Sequence, residues 1–439
     1  MFKGLQILNS RFTGLLARNN AMMIVWCMVA AFGAYFSMYA FRKPFNAGEY
    51  TGLTLNGIDY KSVLLITQVL GYMLSKFIGI KVISELSPGK RILLLFALIG
   101  IAESALLVFG ILPHPYNFVA LFFNGLPLGM VWGIVFSFLE GRRFTEILAA
   151  GLSVSVVISS GILKTIARTL VEDYGVTEFW MPFTMGAIFL PVFGLFVWML
   201  SVIPAPTEED RKMRTERVPI DRKQRKKIFM TYWPGLVSLV FCFMLLTILR
   251  DFRDNFGVEI WNQLGYEGTP SVYTETELPI GLSILVMLGL LVLIKNNRTS
   301  LWVVHGMVAA GAIIMLVSTY LFQQDAISAF NWMLVLGFGL FMAYLPFGTV
   351  MYDRYIAAFR IKGNAGFLMY ISDSSGYLGS VALLIMKEFF APELNWLDFF
   401  IGLGIAVAIL VLVGMVGSLL FIQNRKKELT TAKLLPQEA

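Results

Sequence analysis

Residues 21–41 read AMMIVWCMVAAFGAYFSMYAF, a stretch without one charge that is closed by Arg42 and Lys43. About 20 apolar residues in a row are what a helix needs to cross the hydrocarbon core of a bilayer. Residues 278–294, LPIGLSILVMLGLLVLI, repeat the pattern in the second half, and similar runs recur along the whole chain. Composition points the same way: of 439 residues, 57% are hydrophobic and 14% charged, whereas soluble domains run near a quarter charged. The reading is an all-α polytopic membrane protein. Spans fall at 21–45, 60–83, 91–112, 115–138, 147–171, 179–202, 230–256, 277–295, 300–322, 329–352, 363–386 and 399–423, twelve helices in all. The polar, basic start has no small-residue cleavage pattern ahead of the first run, so that run is expected to be a retained span.

One long charged stretch interrupts the apolar runs, Pro204 to Lys227, and it holds nine lysines and arginines. It divides the chain into an N-terminal six-helix bundle (1–202), a basic cytoplasmic linker (203–229) and a C-terminal six-helix bundle with a short cytoplasmic tail (230–439). Sorting the remaining Lys and Arg by alternating loops gives one strongly basic set, with Lys3, Arg11, Arg18, Lys81, Lys90, Arg91, Arg142, Arg143, Lys295, Arg298, Arg354, Arg360 and Lys362. The other set has only Lys61 and Lys387 amid acids such as Glu49, Glu172, Glu259, Glu277 and Glu388. Cytoplasmic loops carry the basic excess, so both termini are expected on the cytoplasmic side of the cell's inner membrane. The net charge of +7 is then topology together with attraction to anionic lipid heads, and nucleic acid is not an expected partner.

Several familiar chemistries are absent from the sequence. Cys27 and Cys242 sit in apolar runs without a C-x-x-C partner, and His114 and His305 have no metal-ligand company. No G-x-x-x-x-G-K-[ST] loop, H-E-x-x-H or G-x-S-x-G occurs. We expect no metal, no cofactor and no enzymatic activity.

The informative residues are the cations left inside or at the ends of spans: Arg42, Lys43, Lys76, Lys164, Arg168, Arg250 and Arg253. Such a charge costs about 2.5–3.5 kcal/mol at the centre of a span, so it persists where it faces a partner, a water-filled cavity or a ligand. The acids on offer are Glu103, Asp251, Asp254 and Asp373. Asp254, four residues after Arg250, is placed to pair with it along one helix face. Four carboxylates against seven cations leave room for an anionic substrate, and phosphate suits the forked guanidinium of Arg. Arg42 and Arg250 each follow a long apolar run in the first helix of their half, matching places from which a pair could grip one anion.

Four stretches carry a resemblance to the major facilitator superfamily, and within it to the organophosphate:phosphate antiporters, the branch of glycerol-phosphate and hexose-phosphate carriers. They are Tyr39-Ala40-Phe41-Arg42-Lys43-Pro44-Phe45-Asn46, Gly71-Tyr72-Met73-Leu74-Ser75-Lys76-Phe77-Ile78, Gly129-Met130-Val131-Trp132, and Gly363-Asn364-Ala365-Gly366-Phe367 with Gly376-Tyr377-Leu378-Gly379-Ser380. The resemblance implies two pseudo-symmetric six-helix bundles and rocker-switch exchange of an organic phosphate for inorganic phosphate. It implies that Arg42 and Arg250 bind the phosphate with help from Lys76, while Arg253, one turn from Arg250, is an alternative to it. The branch's span-five histidine has no counterpart; Lys164 and Arg168 stand there, either as further anion contacts or as a pair neutralised by Glu103. Tyr39 is a candidate for the polyol or sugar part of a substrate.

The expectation is thus a monomeric secondary carrier of a small, phosphate-bearing anion, with Arg42, Arg250, Lys76, Tyr39, Arg253 and Lys164 as substrate-binding residues. Two alternatives stand beside it: a proton-coupled organic-anion symporter using Asp373 or Glu103, and a sensor of a phosphate ester that has lost transport. Gly125, Gly129 and Gly133 on span four, and Gly71, Ser75 and Gly79 on span two, are small-residue stripes expected to let helix backbones approach closely.

Overall fold

A computed structural model describes residues 12–84, 86–139, 145–205, 222–359, 365–390 and 394–434. Lys3, Arg11, Arg142, Arg143, Arg360, Lys362, most of the linker, and the Gly363-Asn364 part of the span-eleven motif lie outside the described residues. The helices are α1 (Asn20–Tyr39), α2 (Tyr60–Ser84), α3 (Arg91–Ile111), α4 (Phe118–Leu128), α5 (Val131–Leu139), α6 (Thr145–Glu172), α7 (Met181–Ser201), α8 (Arg222–Asn255), α9 (Gly257–Gln263), α10 (Ser271–Val292), α11 (Asn297–Gln323), α12 (Ala329–Pro346), α13 (Tyr352–Ala358), α14 (Ala365–Phe390) and α15 (Trp396–Leu434).

Among the described residues, 11 helical stretches are long and apolar enough to cross a membrane, α4 with α5 forming one and α12 with α13 another. The twelfth expected span is α14, a continuous helix of 26 residues whose apolar run is diluted by Asp373, Lys387 and Glu388. Span eight begins earlier than hydropathy placed it, at Ser271, because its polar first turns hold Glu275 and Glu277. Among the described residues one element is not helical: Thr54–Leu55 pairs antiparallel with Ile58–Asp59 around Asn56-Gly57, both at positive φ (52° and 82°). Asn-Gly is the pair that this tight hairpin turn prefers.

The chain forms two compact units. The first comprises Met1–Thr215, Arg253–Val292 and Leu384–Leu397; the second comprises Glu216–Phe252, Leu293–Leu383 and Asp398–Ala439. In the first, α1 packs on α6 and α7, α2 on α4, α3 on α4 and α7, and α6 on α10. The small-residue stripes interlock there. A Cβ on Gly71 would stand 2.2 Å from the Phe122 carbonyl oxygen, one on Gly125 2.2 Å from that of Gln68, and one on Gly129 2.7 Å from that of Tyr72. In the second unit, α11 and α12 meet through Gly311 and Gly339, and α14 lies against α8 through Gly376 on Thr247 and Gly379 on Ile248.

Asn19 starts α1 by accepting a hydrogen bond from the Met22 amide. Pro44 ends it, since proline supplies no donor for a further helical turn. The carbonyls freed at the break still need donors inside a membrane. Asn124 Nδ2 donates to Phe41 O at 2.9 Å and Gln68 Nε2 donates to Arg42 O at 2.7 Å. Gln68 also donates to Asn124 Oδ1, and Asn124 Nδ2 to Ala102 O. Buried side chains of α2 and α4 thereby fix where the chain turns at Arg42.

Candidate functional site

Two arrangements occupy the first unit. In one, Arg42, 5% exposed, lays its guanidinium 3.7 Å from the centre of the Tyr72 ring and 5.8 Å from that of Tyr39. Lys76, one turn beyond Tyr72 on α2, places its Nζ 5.2 Å from the same ring. Tyr39 in turn meets Tyr35 edge to face at 5.3 Å. Two cations thus share one aromatic ring, Arg42 buried and Lys76 half-buried, which the negative face of the π-system favours. The set can direct guanidinium and ammonium donors at one anion and flank it with aromatic surface.

The other arrangement centres on Asp254. Lys43 Nζ lies 2.5 Å from Asp254 Oδ2, Lys164 Nζ donates to Asp254 O at 2.6 Å and lies 3.5 Å from Oδ1, and Ser160 donates to the same Oδ1. Asn255 Oδ1 accepts from Lys43 at 3.0 Å and from Asn46 at 2.7 Å. The pocket lined by Lys43, Asn46, Ser160, Leu163, Lys164 and Asp254 has room for about one water. It is a closed ionic cluster, and Gly257 sits against Lys164 Nζ, where a Cβ would stand 2.9 Å away.

Ion pairs continue through this unit. Arg253 pairs with Glu277, both buried; Lys61 pairs with Glu259. Arg168 lies 2.6 Å from Glu172, 2.9 Å from Glu49 and 4.0 Å from Glu178. Ser62 Oγ donates to Glu388 at 2.8 Å. Burial raises the Glu259 carboxyl above the usual range, with Lys61 pulling against it; burial, assisted by Glu388, raises Asp59 while the Ser62 amide opposes.

In the second unit Arg250 is held between Asp251 and Tyr344. Its Nη2 lies 2.5 Å from Asp251 Oδ1 and its guanidinium 4.6 Å from the centre of the Tyr344 ring. Asp251 Oδ2 accepts from Ser380 on α14 at 2.8 Å, and Tyr344 stacks on Phe243 at 5.1 Å. Asp373 precedes Gly376 and Ser380 by three and seven residues, placing it on the same α14 face that meets α8.

A model of a family of unknown function, DUF5690, matches residues 44–425. The chain belongs to that family. No curated protein matches its sequence. Among solved structures it is similar to a D-xylose–proton symporter, with 12% sequence identity, a TM-score of 0.57, and 91% of this chain and 96% of that one covered. The fold of this DUF5690 member is therefore the major facilitator fold, all-α and polytopic.

The structure of this DUF5690 chain brings Arg42, Lys76 and Tyr39 together and places Lys164 and Arg253 in ion pairs elsewhere in the same unit. Two expected pairings differ. Arg250 pairs with its neighbour Asp251, and Asp254 turns instead to Lys43 and Lys164. Glu103 neutralises neither Lys164 nor Arg168, whose partners are Asp254 and the three glutamates. Sequence reading passed over Gln68. The signal was there: a proline-broken span needs polar donors nearby, and Gln68 is the amide of α2. Asp254→Asn should leave Lys43 and Lys164 with no carboxylate between them, a loss of about 3 kcal/mol for a broken buried pair. The melting temperature of the purified protein should fall, and adding Lys164→Met should recover part of the loss; a melting point unchanged by Asp254→Asn would rule this out.

Proposed function

We propose that this protein is a secondary carrier that moves a small anion, an organic phosphate exchanged for inorganic phosphate, across the inner membrane by rocker-switch alternating access, with both termini cytoplasmic and no enzymatic step. The observation that carries the reading is the grouping of buried Arg42 and half-buried Lys76 around Tyr72, with Tyr39 beside it. The guanidinium makes paired, charge-assisted bonds to phosphate oxygens, Lys76 adds a second positive charge, and Tyr39 contacts the organic part. Arg250, held by Tyr344 and Asp251, is proposed as a further phosphate-binding group from its place in the second half of the sequence. Lys164 and Arg253 are proposed to act through their pairs with Asp254 and Glu277, as structural charges that rearrange during the cycle.

The test is uptake of radiolabelled phosphate into phosphate-loaded liposomes containing the purified chain. Exchange is expected with the wild type and loss of most of it with Arg250→Gln; no exchange by a folded, reconstituted wild type would sink the reading. A second reading, proton-coupled symport of an organic anion, is favoured by the likeness to a D-xylose–proton symporter and by the carboxyls of Asp373 and Glu103. Substrate-dependent alkalinisation outside the vesicles would support it.

A further inference from the structure

Glu103 lies midway along α3, outside the Arg42 group and outside every ion pair described above. Both of its oxygens are shielded, and neither has a hydrogen-bond partner among the described residues. The carboxyl fits a notch in α7 made by Gly186, where a Cβ would stand 1.8 Å from Oε2. Among the described residues, the helices that pack most extensively against α3 are α4, α5 and α7, and none of the three contains an ionisable residue. The only other ionisable group of α3 is Arg91 in its first turn, twelve residues and so about 18 Å away. The turn leading into α3, Pro88–Lys90, adds exposed Lys90 at that same end. A carboxylate with neither cation nor donor beside it is strongly disfavoured in a bilayer, and a proton removes the charge.

The residue before Glu103 links it to the anion site. Ala102 O accepts from Asn124 Nδ2 at 3.1 Å, the same amide group donates to Phe41 O, and Asn124 Oδ1 accepts from Gln68, which donates to Arg42 O. We propose that Glu103, seated in the Gly186 notch, is a proton-binding site that regulates the anion site through Ala102, Asn124 and Gln68. With the proton on, the carboxyl stays in its notch and α3 stays against α7. With the proton off, the charge leaves the notch, α3 shifts, and the bonds that hold the Arg42 backbone are disturbed. This rests on the phosphate reading for its consequence, and on Glu103 alone for the proton.

Two measurements on the full-length protein in liposomes separate these. The first treats it with dicyclohexylcarbodiimide and locates the adduct by peptide mass spectrometry. The carboxyl proton moves to a carbodiimide nitrogen while the carboxyl oxygen bonds to the central carbon, so the adduct is the sum of both molecules with nothing leaving. Modification is expected at Glu103, falling about tenfold for each pH unit above the titration midpoint, and slower in Gly186→Ala, which fills the notch. An unmodified Glu103 would overturn the proton site whatever the transport result. The second follows phosphate exchange from mildly acid to mildly alkaline pH. The wild type should decline as the pH rises, and Glu103→Gln, which cannot ionise, should stay active across the range. Identical profiles for the two proteins would overturn the regulation. If the wild type exchanges no phosphate, the carbodiimide result still decides the proton site, and the failure belongs to the phosphate reading.

Discussion

Arg42→Gln should reduce phosphate exchange by roughly 100-fold or more while leaving a folded protein. The guanidinium is buried and centred 3.7 Å from the middle of the Tyr72 ring, so it is presented to an anion with little rotamer entropy left to lose. Two charge-assisted bonds to phosphate oxygens are worth about 1.5–3 kcal/mol each, and each 1.4 kcal/mol is about tenfold in rate. Glutamine keeps much of the side chain's length but loses the charge, the fork and the cation–π contact. Its backbone carbonyl would still be held by Gln68, so the local fold should survive. Arg42→Lys should fall between, since lysine restores charge without the paired geometry. The readout is initial exchange rate in liposomes, with monodispersity and melting temperature as the check on folding. Exchange by Arg42→Gln within twofold of wild type would remove Arg42 from the site.

The second large effect is structural. Gly125→Leu should abolish recovery of folded protein, and even Gly125→Ala should lower the melting temperature. A Cβ at position 125 would stand 2.2 Å from the Gln68 carbonyl oxygen and 3.0 Å from the Tyr72 amide nitrogen. Both are backbone atoms of α2, so no side-chain rotation relieves the contact, and the helices must move apart. Overpacking of this kind costs about 1–3 kcal/mol or more, against a helix-propensity gain of about 1 kcal/mol for replacing glycine by alanine. The separation would also carry away Tyr72 and Gln68, the ring and the amide that position Arg42. Gly100→Ala is the control, because a Cβ there meets nothing within 4 Å. Equal melting temperatures for Gly125→Ala and Gly100→Ala would contradict the close approach of α2 and α4.

How far the sequence alone could be read follows from which interactions are local. Apolar runs are local, and so the spans emerged nearly where the helices lie. The glycine stripes are local too, and Gly71, Gly125 and Gly129 do form the tight α2–α4 contact. The grouping of Arg42 with Lys76 came through short motifs, and the structure places both at Tyr72. The partners of Asp254 were not legible. Lys164 is separated from it by 90 residues, and an acid four positions after Arg250 offered a nearer explanation. Glu277 was hidden for another reason: averaging hydropathy discards the polar first turns of α10, where it meets Arg253. The hairpin at Asn56-Gly57 is too short to register against two long apolar runs.

The interleaving of the first unit also sets a schedule for its assembly. Lys43 and Asn255 are 212 residues apart, Lys61 and Glu259 are 198 apart, and Ser62 and Glu388 are 326 apart. A ribosome adds about 5–20 residues per second, so Lys43 enters the membrane roughly 10–40 s before its carboxylate exists. Until those partners are made, Lys43, Lys61 and Lys164 must be accommodated by water, lipid phosphates or the insertion machinery. The N-terminal helices therefore cannot complete their own unit as they are made. They wait, charged and partly unsatisfied, for segments translated from the far half of the message.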